Sequence, residues 1–145
     1  MHKKILGLDF DGVLNGYQSG WIAAHFIPDP PVPGAIEFLE AALGAFDEVH
    51  IYSSRANGDG GVRAMQTWVK YWVEKTLPLE RANQLLNSKN IVFATQKPPA
   101  MVMLDDRALT FTGKFPTMDE LLAFKPWNHK ETPEWPSPPL SSSSP

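Results

Sequence analysis

The sequence predicts an α/β domain built on a mainly parallel sheet. Short apolar runs with strand character alternate with longer stretches of helical spacing along the 145 residues. That length suits one domain with one core. Hydrophobic residues make up 43% of the chain, close to the globular average, which argues against a disordered polymer. No internal repeat is visible, so a solenoid is not expected.

Taken in order, Lys4 to Phe10 reads as the first strand, with Ile5, Leu6, Leu8 and Phe10 apolar. Pro28 to Pro33 is a rigid connection. Pro33-Gly34 then opens a helix through about Leu43, with Ile36, Leu39 and Leu43 on one face. Val49 to Tyr52 is the second strand, and Asn57 to Gly61 is a polar, glycine-rich turn. A long helix follows, where Val62, Met65, Val69, Trp72 and Val73 keep helical spacing; Trp68 and Trp72 belong with its packing face. Pro78 suits the first turn of a further helix carrying Leu79, Ala82, Leu85 and Leu86. Ile91 to Ala94 and Met101 to Leu104 are short strands, and Leu109 to Phe111 reads as a last one. Thr117-Met118-Asp119-Glu120 has the spacing of a capping box and opens a helix through about Phe124. A parallel crossover takes about a dozen or more residues. The stretch from Ala94 to Met101 is shorter, so either its helix is lost or Ile91 to Ala94 is not an ordinary parallel strand.

The domain is expected to span residues 1–128, followed by a Pro/Ser-rich flexible tail over 129–145. Six of the 14 prolines lie in residues 126–145, together with Ser137 and Ser141 to Ser144, and such a segment has too few apolar groups to offset the entropy of ordering it. No apolar run reaches the ~18 residues of a membrane span. Asp9 and Asp11 interrupt the only apolar stretch near the N-terminus, unlike a secretory leader. The absence of cysteine excludes disulfides, thiolate metal sites and a cysteine nucleophile, and fits a cytoplasmic protein. A net charge of −3 gives no strong nucleic-acid signature.

Ligand sites in parallel sheets lie at the carboxyl ends of the strands. The first strand ends in Asp9-Phe10-Asp11-Gly12-Val13, the second in Ser53-Ser54-Arg55 and the fourth in Asp105-Asp106-Arg107; the third leads into Lys97. A parallel sheet brings these groups to one edge. Crowded carboxylates are costly without a cation among them, and hard oxygen donors suit Mg²⁺. A carboxylate beside such a cation can attack a phosphoryl group and form an acyl phosphate. The transfer itself depends on alignment and charge neutralisation, for which a hydroxyl and a lysine are suitable. A second carboxylate two residues on can protonate the leaving oxygen and then deprotonate water. Gly12 permits a sharp turn at the strand end.

Asp9-Phe10-Asp11-Gly12-Val13, then Ser53, then Lys97, then Asp105-Asp106, in this order over about residues 4–125, resembles the haloacid dehalogenase superfamily of phosphotransferases. The resemblance implies a Rossmann-like three-layer sandwich and a Mg²⁺-dependent phosphomonoester hydrolase. It casts Asp9 as nucleophile and Asp11 as general acid/base, with the Asp11 backbone carbonyl also on Mg²⁺. It casts Ser53 as a phosphoryl-oxygen ligand, Lys97 as the group steadying the phospho-enzyme, and Asp105 and Asp106 as metal ligands. Residues 15–33 are too few for a cap domain and 56–90 are taken up by core helices, so a capless member is expected. Gly12, Ser54, Arg55 and Arg107 are assigned to the substrate side. For the two arginines, orienting a carboxylate is the open alternative. The expected substrate is a small-molecule or nucleotide phosphate, with polynucleotide ends included. The competing function is a catalytically silent module that binds phosphate or metal.

Two other acidic-site readings fail on spacing. A calcium loop starting at Asp9 needs Gly at its sixth and Glu at its twelfth position, where this chain has Leu14 and Gly20. In a response-regulator receiver the lysine comes last, whereas Lys97 precedes the second acidic pair. His2, His25, His50 and His129 show no ligand spacing. Trp21 and Phe26, in the segment after the first motif, are expected either to face substrate or to pack.

Overall fold

Strands β1 (Ile5–Leu8), β2 (Glu48–Tyr52), β3 (Ile91–Ala94) and β4 (Val102–Leu104) form one all-parallel sheet in the order β3-β2-β1-β4. This is a computed structural model, and it describes residues 2–128. The chain divides into two units, 1–105 and 106–145. The proposed tail, 129–145, lies outside the described residues.

The first unit holds the sheet and the helices α1 (Ala35–Ala45), α2 (Gly61–Thr76) and α3 (Leu79–Leu86). Register explains its core. Leu6 pairs with Val49 and Leu8 with Ile51, so these four side chains share one face of the pleat. All four are buried, in one cluster with Ile36 and Leu39 of α1, Met65, Trp68, Val69 and Val73 of α2, and Ala82 and Leu85 of α3. One sheet face therefore carries all three helices. Phe10 continues the strand alternation into that cluster and meets Trp68 edge to face, ring centroids 5.0 Å apart. On the opposite face Gly7 pairs with Met103, and a Cβ at Gly7 would overlap the Met103 sulfur.

Both expected proline and glycine helix starts are present. Gly34 caps α1 in a left-handed conformation (φ 88°), and Pro78 immediately precedes α3. Between β2 and α2 the chain makes a short 3-10 turn, Ser54–Asn57.

The β3–β4 connection settles the question its length raised. β3 is an ordinary parallel strand beside β2, and the connection has no helix. Met101 N–H reaches the Ile5 carbonyl at 2.8 Å, at the start of β1, so residues 95–100 carry the chain from the carboxyl end of β3 back to the amino end of the sheet. The third layer expected over the sheet is not supplied by this segment. The architecture is α/β and consistent with a Rossmann-like sandwich.

In the second unit α4 (Met118–Leu122) starts with the predicted capping box. Thr117 Oγ1 accepts from Glu120 N–H at 3.1 Å, and Glu120 Oε1 accepts from Thr117 N–H at 2.7 Å. The strand expected at Leu109 to Phe111 does not form. Leu109 and Phe111 are exposed, and the described residues offer that segment no strand partner, without which three residues cannot hold an extended ladder. Among the described residues, no helix is long and apolar enough to cross a membrane.

Candidate active site at the carboxyl ends of β1 and β4

The strand order sets the site. From β1 the chain winds outward through β2 to β3, then returns to place β4 on the other side of β1. Strand order thus reverses between β1 and β4, and such reversals open the crevice where α/β sheets bind ligands. Asp9 directly follows β1, and Asp105 directly follows β4. The Asp9 N–H donates to the Leu104 carbonyl at 2.9 Å, which extends the ladder into the site and holds the two strand ends together. One carboxylate oxygen each from Asp9, Asp105 and Asp106 lies within 4.8 Å of the others, Asp106 being bonded directly to Asp105. Like charges at that spacing repel unless a cation lies between them, and all-oxygen donors are the kind Mg²⁺ takes. Asp9 is held further by the Phe10 N–H, which donates to its Oδ1 at 2.8 Å.

The turn after Asp9 is tightly wound. The Phe10 carbonyl accepts the N–H groups of Leu14 and Asn15, both at 2.9 Å, and Gly12 adopts φ 84°, a conformation that disfavours any side chain. This turn carries Asp11 into a different set of contacts from Asp9. Asn15 Nδ2 donates to Asp11 Oδ1 at 2.8 Å. Arg55 Nη2 donates to the same oxygen at 2.9 Å, and Arg55 Nε to Oδ2 at 3.1 Å. The Asp11 side chain is therefore absent from the acidic metal-type group; a metal role through its backbone carbonyl is a separate matter.

Arg55 is the most informative of the predicted residues. It is 1% exposed, the largest fully buried side chain among the described residues. Besides its fork on Asp11, its Nη1 donates to the carbonyls of Ala23 and Ala24 at 2.8 and 2.9 Å, and to that of Phe26 at 3.3 Å. The Trp21 ring lies over the guanidinium, 4.6 Å from centroid to Cζ. Of the two roles the sequence leaves open for Arg55, orienting a carboxylate matches this geometry; contact with substrate does not, because Nε, Nη1 and Nη2 all donate to protein acceptors.

Ser53 directly follows β2 and is buried, and its Oγ accepts the Arg55 N–H at 3.1 Å. That bond caps the 3-10 turn and uses an acceptor position, leaving the hydroxyl proton to donate elsewhere. Ser54 is exposed. Lys97 is exposed in the β3–β4 connection, and no ion pair or hydrogen bond holds its side chain among the described residues. It lies on the helix-free segment 95–100 that returns the chain to the amino end of the sheet. Arg107 is exposed and belongs to the second unit.

Sequence reasoning missed Asn15 and Asp29, both buried polar residues. Asn15 Oδ1 also accepts the Tyr17 N–H at 3.2 Å, so one amide braces Asp11 and the chain leaving the turn. Its spacing of four from Asp11 was the available signal. Asp29 accepts from Ser19 N–H and Oγ, and its carbonyl accepts Trp68 Nε1–H at 2.9 Å, which ties residues 19–29 to the core. The two aromatics of this segment divide: Trp21 covers Arg55, and Phe26 lines an open groove of about 690 Å³ with Arg63, Tyr71 and Trp72 of α2. None of the strand-end aspartates lines that groove.

No family model, curated protein or solved structure matches this chain.

Proposed function

We propose that the protein is a Mg²⁺-dependent phosphomonoester hydrolase acting through an aspartyl-phosphate on Asp9. The observation that carries the reading is the group of three carboxylates within 4.8 Å at the strand-order reversal, with Asp11 two residues beyond the first of them. By its motifs the chain is a capless relative of the haloacid dehalogenase superfamily. Its donor set suits Mg²⁺, held by Asp9, Asp105 and Asp106. When bound, the ion supplies charge neutralisation for the phosphoryl oxygens.

In the first step a carboxylate oxygen of Asp9 attacks phosphorus, the bond from phosphorus to the ester oxygen breaks, and the leaving oxygen takes a proton from Asp11. Asp11 Oδ1 already accepts two donors while Oδ2 accepts one, so Oδ2 is the oxygen with room for that proton. In the second step water passes a proton to Asp11 and attacks phosphorus. The Asp9–phosphorus bond breaks, inorganic phosphate leaves and the Asp9 carboxylate is restored. Ser53 Oγ–H donates to a phosphoryl oxygen. Nucleotides and phosphorylated polynucleotide ends are the favoured substrates; the net charge of −3 argues against tight binding to long nucleic acid.

Asp9→Asn tests the reading. Hydrolysis of an aryl phosphate in Mg²⁺ should disappear while the circular dichroism spectrum stays native. Retained turnover would remove Asp9 as nucleophile. A second reading, a module that binds phosphate but has lost turnover, is favoured by the three donors committed to Asp11. If wild type is inactive on a broad phosphomonoester panel yet beryllofluoride with Mg²⁺ raises its melting temperature, this second reading holds.

A further inference from the structure

Arg55 belongs to no strand-end carboxylate group, yet its side chain joins two parts of the first unit that are far apart in sequence. One is Asp11, 44 positions upstream; the other is the loop residues Ala23, Ala24 and Phe26, whose carbonyls it collects. The local backbone is shaped around it. Gly61 has no left-handed conformation to explain its glycine, but a Cβ there would run into the Arg55 carbonyl. A Cβ at Gly58 would likewise collide with Ala24, so the 3-10 turn and the loop press together beside the guanidinium. Trp21 closes the remaining face. A buried guanidinium is costly unless its donors are satisfied, and this one is satisfied only while Asp11 and the loop are both in place.

We infer that Arg55 is a positioning residue that makes the orientation of Asp11 depend on the folded state of loop 17–29. The inference rests on the proposed role of Asp11 and extends it. The planar fork fixes both oxygens of Asp11, and the same rigid group anchors the loop, so neither end shifts without the other. Loosening the loop releases the Arg55 fork, and losing the fork frees the loop. Arg55 supports the reaction through Asp11 and does not touch the phosphate.

The test is Arg55→Lys in the full chain, which keeps the charge and loses the fork. Two quantities are measured: steady-state hydrolysis of an aryl phosphate in Mg²⁺, and amide hydrogen exchange. We expect kcat to fall roughly 10- to 100-fold, the cost of a small misplacement of a reacting group, with KM within about twofold of wild type. Added guanidinium ion should restore part of kcat in Arg55→Ala. Amides of residues 20–26 should exchange at least roughly tenfold faster in Arg55→Lys, with β1 and β2 amides unchanged. A raised KM at unchanged kcat would place Arg55 on the substrate and overturn the inference, as would unchanged loop exchange in a folded Arg55→Lys. Should Arg55→Lys not fold, Asp11→Asn breaks the fork from the other side. It should speed exchange of the same loop amides, and failure to do so overturns the coupling. If the wild type hydrolyses no phosphomonoester, the functional reading fails by itself, and the exchange measurements alone decide whether Arg55 links Asp11 to the loop.

Discussion

Asp9 and Asp11 are two residues apart and lie in different surroundings because the chain turns tightly between Phe10 and Asn15. Asp9 joins the acidic group, while Asp11 is neutralised within the protein by a buried arginine. Breaking such a pair from one side leaves an uncompensated buried charge. Asp11→Ala should therefore cost about 3 kcal/mol of stability, at the lower end for buried pairs because Asp11 keeps some solvent contact, and urea denaturation will read it. Arg55→Met leaves the Asp11 carboxylate unpaired and takes the donor from the Ala23, Ala24 and Phe26 carbonyls, and should cost at least as much as Asp11→Ala in the same assay. A surface cluster gives a pH-dependent contrast. The Lys3 ammonium, hydrogen-bonded at 2.6 Å, holds the Glu48 carboxyl below the usual carboxylate range, and His50 at 2.7 Å adds to this. A lowered folded-state value means that the contribution is present above the unfolded carboxylate value and is lost as pH falls through the folded one. The melting temperature of Glu48→Gln should thus lie slightly below wild type at neutral pH and merge with it in acid.

At the scale of elements, the sequence marks helix starts well because those signals are local. Gly34, Pro78 and the Thr117–Glu120 box all stand where α1, α3 and α4 begin. The strand at Leu109 to Phe111 failed for the opposite reason: a strand needs a partner, and three apolar-flanked residues say nothing about one. The start of α2 belongs to neither class. Gly61 reads as turn chemistry in the sequence, but its reason is the close approach of the Arg55 carbonyl across the 3-10 turn. Gly61→Ala should cost about 1–3 kcal/mol, the usual range for overpacking, even though alanine favours helices. Thermal unfolding checks it; a stabilised variant would mean that the turn yields freely.

For the whole molecule, metal dependence is the most direct prediction. Three carboxylates that repel one another in the free protein should be relieved by Mg²⁺. At ten times its dissociation constant, a ligand specific to the folded state adds about 1.4 kcal/mol. That corresponds to a rise of about 5 °C in melting temperature for a chain of this size. Chelator should reverse the shift, and Asp105→Asn should abolish most of it without loss of fold. The sequence by itself determined the alternation of strands and helices, the parallel sheet and the four strand-end aspartates, because periodicity and strand termini are written locally. The tertiary structure alone decided that β4 lies beside β1, that the β3–β4 connection runs without a helix and leaves Lys97 exposed, and that Arg55 turns inward to Asp11. The physical reason is that strand pairing and the satisfaction of a buried guanidinium depend on partners tens of residues away, and no local pattern records which partner a group will find.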